Sequence, residues 1–236
     1  MNDSLQATLN KLIQADSTSN PALNRLIAAN TEYHFVLVVV GGLFLLALML
    51  LSGFFWRRFT RTSKGDSGQW TFEKRTYFSF GLFSVVVGLL MALIVVANVN
   101  NVLNPRQEFS GAIGMLGTPQ AGSQTDKRQQ AFKTWLQSGS PQMPSLIQDK
   151  IDDRLTWQRP KAIISSVLLI VFVMLSVRIW RTMIRKSRLR EAWRLKERAL
   201  LMAGFVTVVA CLPLMLMVMG NTQGSIAPIS LTLFFG

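Results

Sequence analysis

The chain has 236 residues, of which 50% are hydrophobic and only 16% charged, with 25 basic and 12 acidic side chains and a formal net charge of +13. An ordinary soluble domain carries about 25% charge, so a conventional soluble fold is disfavoured before any motif is sought. One histidine and one cysteine exclude an intramolecular disulfide and a His/Cys metal cluster.

In chain order, residues 1–32 are mostly polar. Leu5, Leu9, Leu12 and Ile13 recur at helical spacing, and Pro21 followed by Leu23, Leu26 and Ile27 opens a second short amphipathic stretch. Four apolar stretches follow, from Tyr33 to Trp56, Thr76 to Val99, Ala162 to Trp180 and Ala199 to Gly220. Each is close to the ~20 residues that an α-helix needs to cross a bilayer. The first is too long for a cleaved signal and is followed by Arg57 and Arg58, so it is expected to remain as a helix. Phe35 to Phe55 and Tyr77 to Ala97 are apolar nearly all round, which asks for lipid rather than a soluble core as their surroundings. The fold class expected is therefore an all-α membrane protein. Its four transmembrane helices form two hairpins, 33–99 and 162–220, with short amphipathic helices in the long extracytoplasmic loop 100–161.

The basic residues are segregated. The connector 57–75 holds six basic and two acidic residues, and the connector 178–198 holds nine basic and two acidic, whereas nothing after Arg198 is charged. Lys and Arg in short loops stay on the cytoplasmic side, so both connectors are assigned there. Both termini then lie outside a plasma (inner) membrane. The excess of positive charge thus belongs to two connectors, and with no nucleic-acid-binding signature it implies no specific nucleic acid. Trp56, Arg57, Arg58, Arg61, Arg178, Trp180, Arg181, Arg185, Lys186 and Trp193 are read as anchors at the inner interface, on anionic lipid headgroups. The connector 178–198 is rich in helix formers. It either lies along the leaflet with Leu189, Ala192, Trp193 and Lys196 on one face, or continues the two crossings as a basic helical hairpin.

Within the crossings, Ser84, Gly88 and Ala92 fall four apart, and Gly41 and Gly42 lie in the first helix; small residues at such spacing let helices approach closely, within the chain or in a homo-oligomer. Pro213 is expected to kink the fourth helix and free a carbonyl, with Thr207, another helix or a water to satisfy it. Trp56, Arg57, Phe59 and Arg61 match Trp180, Arg181, Met183 and Arg185 at an offset of 124 residues. Two readings explain the match: a duplicated hairpin, or two unrelated interfacial anchors using the same chemistry.

In the loop, glycines from Gly111 to Gly122 predict irregular chain. Gln129–Gln137 is expected to form a short helix carrying Phe132, Trp135 and Leu136. Ser145 is placed as the cap of another helix, with Leu146, Ile147, Ile151 and Leu155 opposite Asp149, Asp152 and Asp153. Those aspartates read as a solvated face, with a hard cation as the alternative. The apolar tail Ile226–Phe235 is too short to cross and is expected in the outer interface or between helices.

No phosphate loop, nucleophile elbow or acidic residue at membrane depth is present, which speaks against an enzyme and against an ion-coupled transporter. No catalytic residue, cofactor or metal is expected. The reading is a non-enzymatic polytopic membrane protein, an accessory or scaffold subunit of a larger bacterial-type complex whose partners are other membrane subunits. A small oligomeric channel and a lipid-acting membrane enzyme are the alternatives. With Cys211 replaced, Ser123→Cys is expected to react with an impermeant maleimide added to intact cells and Ser187→Cys only after permeabilisation; the reverse pattern inverts the topology.

Overall fold

The computed structural model describes residues 4–15, 17–64, 68–189 and 195–235. Among them the chain forms eight helices and no strand: α1 (Leu5–Gln14), α2 (Pro21–Arg61), α3 (Phe72–Leu103), α4 (Pro105–Ile113), α5 (Gln124–Ser138), α6 (Ser145–Arg188), α7 (Leu195–Ile226) and α8 (Pro228–Phe235). Four of these, α2, α3, α6 and α7, are long and apolar enough to cross a membrane.

The long helices exceed the apolar stretches. α2 has 41 residues, about 60 Å at 1.5 Å per residue, twice the ~30 Å of a hydrocarbon core. The separate stretch expected after Pro21 is the first part of α2, because Ala28 to Tyr33 contain no Gly or Pro to break it. Pro21 occupies the first helical turn, where its missing N–H costs nothing. Asn20 supplies the cap: its Oδ1 accepts from Leu23 N at 3.0 Å, while its Nδ2 donates to the Leu136 carbonyl at 2.9 Å. Likewise the loop helix expected from Ser145 is continuous with the third crossing as α6, which runs through Pro160. Ser145 is its first residue rather than its cap, and the Pro144 carbonyl accepts from Ile147 and Gln148. α4, opened by Pro105, runs as far as Ile113 and so enters the stretch from Gly111 that was expected to be irregular. α5 begins earlier than its apolar residues suggest, because Ser123 Oγ accepts from Asp126 N at 3.1 Å while Asp126 Oδ2 accepts from Gly122 N at 2.9 Å. Gly139, at φ 61°, ends it in a left-handed cap. The tail Pro228–Phe235 is helical.

The chain divides into two compact units. One contains the residues up to Val38, Val96–Lys161 and those from Gly220; the other contains Val39–Val95 and Ala162–Met219. The first has its own core, in which Leu9, Leu26, Phe109, Phe132, Trp135 and Ile147 are almost wholly buried. The N-terminal tail, the loop and the C-terminal tail, which look like three separate pieces in the sequence, close this one core together. Ile147 and Ile151 join it, Leu146 does not, and Asp149, Asp152 and Asp153 face outward.

The second unit is a bundle of apolar helices. Trp56 packs on Gly81 of the next helix, and Trp180 packs on Gly204, whose carbonyl accepts from the indole Nε1 at 3.3 Å. A Cβ on Gly204 would lie 3.0 Å from Ile179 and 3.1 Å from the Trp180 ring, whereas one on Gly42 would meet nothing within 4 Å. Gly204→Ala is expected to cost about 1–3 kcal/mol by overpacking and to lower the melting temperature in detergent by several degrees, with Gly42→Ala unchanged.

Candidate functional site

Polar chemistry concentrates in two places. The first lies in the unit with the globular core. His34 Nε2 is 3.0 Å from Glu108 Oε1, His34 Nδ1 is 2.7 Å from Asn98 Oδ1, and Asn101 Nδ2 stands 3.4 Å from the same ring nitrogen. Asn30 Nδ2 donates to the other Glu108 oxygen. Nearby, Gln223 Nε2 donates to the Tyr33 carbonyl at 3.0 Å. His34 and Asn30 share a face of α2 one turn apart, Asn98 and Asn101 share a face of α3, and the break at Asn104 turns α4 so that Glu108 returns to them. Asn30 and Asn98 are buried. The donor and acceptor roles on the imidazole depend on its tautomer and on which way the Asn98 amide is turned. Both ring nitrogens and both carboxylate oxygens are engaged within the protein. The cluster therefore works first as a polar clasp joining α2, α3 and α4, and it can present an imidazole nitrogen to a ligand only by giving up one of these bonds.

The second place is at the connectors, within the bundle unit. Glu73, just ahead of the apolar stretch that starts at Thr76, is hydrogen-bonded by Arg188 Nε at 2.7 Å, and Arg188 Nη2 closes a bidentate pair. Lys186 Nζ is 2.7 Å from Glu197 Oε1. Lys74 Nζ donates to the Thr62 carbonyl at 2.7 Å, which holds the end of α2 against the start of α3. Beside Glu73 a pocket of about 450 Å³ is lined by Arg58, Arg61, Lys64, Thr71 and Arg188. Among the described residues its basic groups outnumber the single carboxylate, so it suits an anion. The Arg188 guanidinium holds the Glu73 carboxyl below its ordinary value, against the opposing effect of burial, with Tyr77 contributing in the same direction as Arg188.

Away from the connectors the bundle unit is apolar. A cavity of about 330 Å³ is lined by Phe44, Leu48, Phe80, Phe83, Leu169 and Leu212 among others, with Ser84, Ser176 and Cys211 its hydroxyl- and thiol-bearing residues. Cys211 Sγ donates to the Thr207 carbonyl, and the Thr207 hydroxyl donates to the Gly204 carbonyl rather than serving a carbonyl freed by Pro213. α7 continues as a helix through Pro213.

Of the residues read as interface anchors, Trp56, Arg57, Arg58, Arg61, Arg178, Arg181 and Arg185 are exposed, with the Arg58 guanidinium over the Phe54 ring. Trp180 is half-buried against Phe80 and Gly204, and Lys186 is half-buried on Glu197. Trp193 lies outside the described residues. Of the small residues, Gly41 faces Val95, Met91 and Met219, and Gly88 faces Leu45 and Leu48, so both meet neighbours within the chain. Ser84 lines the apolar cavity, Ala92 is half-buried, and Gly42 faces open space. The His34–Glu108 clasp and the Glu73–Arg188 pair were not anticipated. A signal for the first existed in the run of asparagines closing α3 and in a lone histidine opening an apolar stretch. Nothing in the spacing of Glu73 and Arg188, 115 positions apart, announces the second.

Comparison with protein-family models, with curated proteins and with solved structures finds no match. Among the described residues no three His, Cys, Asp or Glu side chains gather as a metal site.

A group with a depressed folded-state pKa stabilises the protein above its unfolded value, near 4.3 for Glu, and that contribution is lost as pH falls through the folded value. Glu73→Gln is expected to lower stability modestly at pH 7, since Arg188 is mostly exposed, and to flatten the fall in melting temperature below about pH 4.5. An unchanged acid limb would show that the pair contributes nothing to stability.

Proposed function

We propose that this chain is a non-enzymatic, multi-pass subunit of the plasma membrane that holds or assembles a larger membrane complex, with both basic connectors in the cytoplasm and both termini outside. The observation that carries this reading is the separate core shared by the N-terminal tail, the loop and the C-terminal tail. A protein that only needed to span the bilayer would leave tail, loop and terminus as connectors, whereas here they fold into one body around a common core, which gives a partner a formed surface to dock on. The polar clasp supports the same reading, because its hydrogen-bonding groups are spent on fixing the shape of that body. Large exposed side chains on the membrane helices, such as Leu43, Met49, Leu50, Leu93 and Met202, suit lipid and the flanks of other membrane subunits alike.

The basic pocket between the connectors adds a partner of defined chemistry, the phosphate of an anionic inner-leaflet lipid. Arginine is suited to this ligand by its planar fork of donors, and basic pockets between membrane helices on the cytoplasmic side bind such headgroups.

Purification from native membranes in mild detergent, followed by identification of what stays bound, is expected to return other integral membrane proteins in fixed ratio. A lone, monodisperse homo-oligomer overturns the subunit reading. Reconstituted protein is expected to retain anionic over zwitterionic phospholipid, with at least severalfold less retention in Arg58→Gln/Arg61→Gln; equal retention removes the lipid from the proposal.

A further inference from the structure

We infer that the chain is a tandem duplicate of one four-helix module, fused into a single polypeptide, in which α1–α4 and α5–α8 are the two copies and only the first copy has kept a charged clasp. Each copy reads short helix, long helix, long helix, short helix. From Leu9 and Phe132 onward the spacing recorded for the two Trp-Arg clusters is maintained to within one residue, whereas the helix starts ahead of them, at Ser4 and Ser123, stand 119 apart. α1 and α5 both open on a capping serine, Ser4 and Ser123, and their core residues correspond, Leu9 with Phe132, Leu12 with Trp135 and Ile13 with Leu136. Pro21 corresponds to Pro144 at the start of the long helices, and the buried Leu23 and Ile27 correspond to the buried Ile147 and Ile151. α3 and α7 are each 32 residues long. Each carries an acidic residue in its first turn, Glu73 and Glu197, and both are held by a basic residue from the end of α6. Each ends two residues before a proline, Pro105 or Pro228, that opens a short helix packed on the common core.

Contacts repeat as well as spacings, which an accidental likeness of interfacial anchors does not explain. In both hairpins the tryptophan at the inner end of the first long helix packs on a glycine of the second, Trp56 on Gly81 and Trp180 on Gly204. Equivalent elements also meet each other: α1 packs on α5, and the Phe109 ring of α4 meets the Phe234 ring of α8 at 6.1 Å. Self-contact of equivalent elements is the mark of an isologous pairing. The partner for which the module's surface was shaped is a second copy of the module.

Divergence between the copies then sorts structural residues from the rest. The counterparts of His34, Asn101 and Glu108 are Gln158, Gly224 and Leu231, and these three are again neighbours: a Cβ on Gly224 would lie 2.9 Å from Leu231 and 3.0 Å from the Gln158 amide carbon. The second copy closes the same junction of long, long and short helix with an amide, a glycine and a leucine. The charged pair in the first copy is therefore not what the module needs in order to close.

Two full-length variants test this. In the first, the chain is circularly permuted to begin at Ala121, with Phe235 joined to Ser4 by a linker as long as the native segment between Ile113 and Gln124. If the copies are equivalent, that linker spans the same path, and the permutant is expected to keep its helicity and to melt within about 4 °C of the parent; a permutant that does not fold overturns the duplication. In the second, the clasp is rewritten in the second copy's residues. The single variants His34→Gln and Glu108→Leu, each leaving a partner unpaired, are expected to lower the melting temperature by several degrees, and His34→Gln/Glu108→Leu to recover most of that loss. A double variant as unstable as the two losses added together makes the clasp a structural necessity and overturns the divergence.

Discussion

Hydrocarbon cannot solvate a charge or an unpaired peptide group, and this constraint places every other feature. It makes the backbone helical wherever the chain is apolar. It pushes the ionisable groups toward the ends of the apolar stretches, and there several of them pair: His34 with Glu108 where α2 and α4 meet, Glu73 with Arg188 and Lys186 with Glu197 at the connectors. The interior that remains, lined by Phe44, Phe80, Leu169 and their neighbours, has almost no polar surface to offer water.

The two polar sites differ in what holds them. The clasp in the globular unit is saturated, each heteroatom of His34 and Glu108 being met by a side chain, so its energy goes into rigidity. At the connectors, Arg188 is oriented by Glu73 while Arg58, Arg61 and Lys64 line open space beside it. A positioned cation next to unsaturated ones is the arrangement that favours an anionic guest, since part of the cost of ordering long side chains has already been met within the protein. That asymmetry makes the connector pocket the better candidate for a ligand and the clasp the better candidate for shape.

Four membrane-spanning helices were legible because hydropathy over about 20 residues is a local property, read without knowing any partner. The extent of the helices was less legible. The apolar signal stops at Tyr33 and Ala162, but helix propensity does not, so α2 reaches back to Pro21 and α6 to Ser145. Pro105, which carries no hydropathy signal, is a helix start, since proline suits a first turn as well as it suits a bend. Gly88 was marked by its spacing, but Gly204, which makes a closer approach, was not, because the residues four away from it are Leu200 and Val208. The repeated Trp-Arg clusters were visible in the residues alone. Their meaning was not, because an interfacial anchor looks the same whether it arose once or twice.

The amino-acid sequence by itself determined the location of the apolar helices, the clustering of basic residues in two connectors and the scarcity of metal-ligating side chains, all of which depend on residue type and on neighbours within a few turns. Tertiary structure decided that the two tails and the loop share one core, that Glu108 returns to His34 and Arg188 to Glu73, and that Trp180 rests on Gly204 as Trp56 rests on Gly81. Those are contacts between residues far apart in the chain. Their energy depends on shape and distance after folding, and no local pattern in the sequence records either.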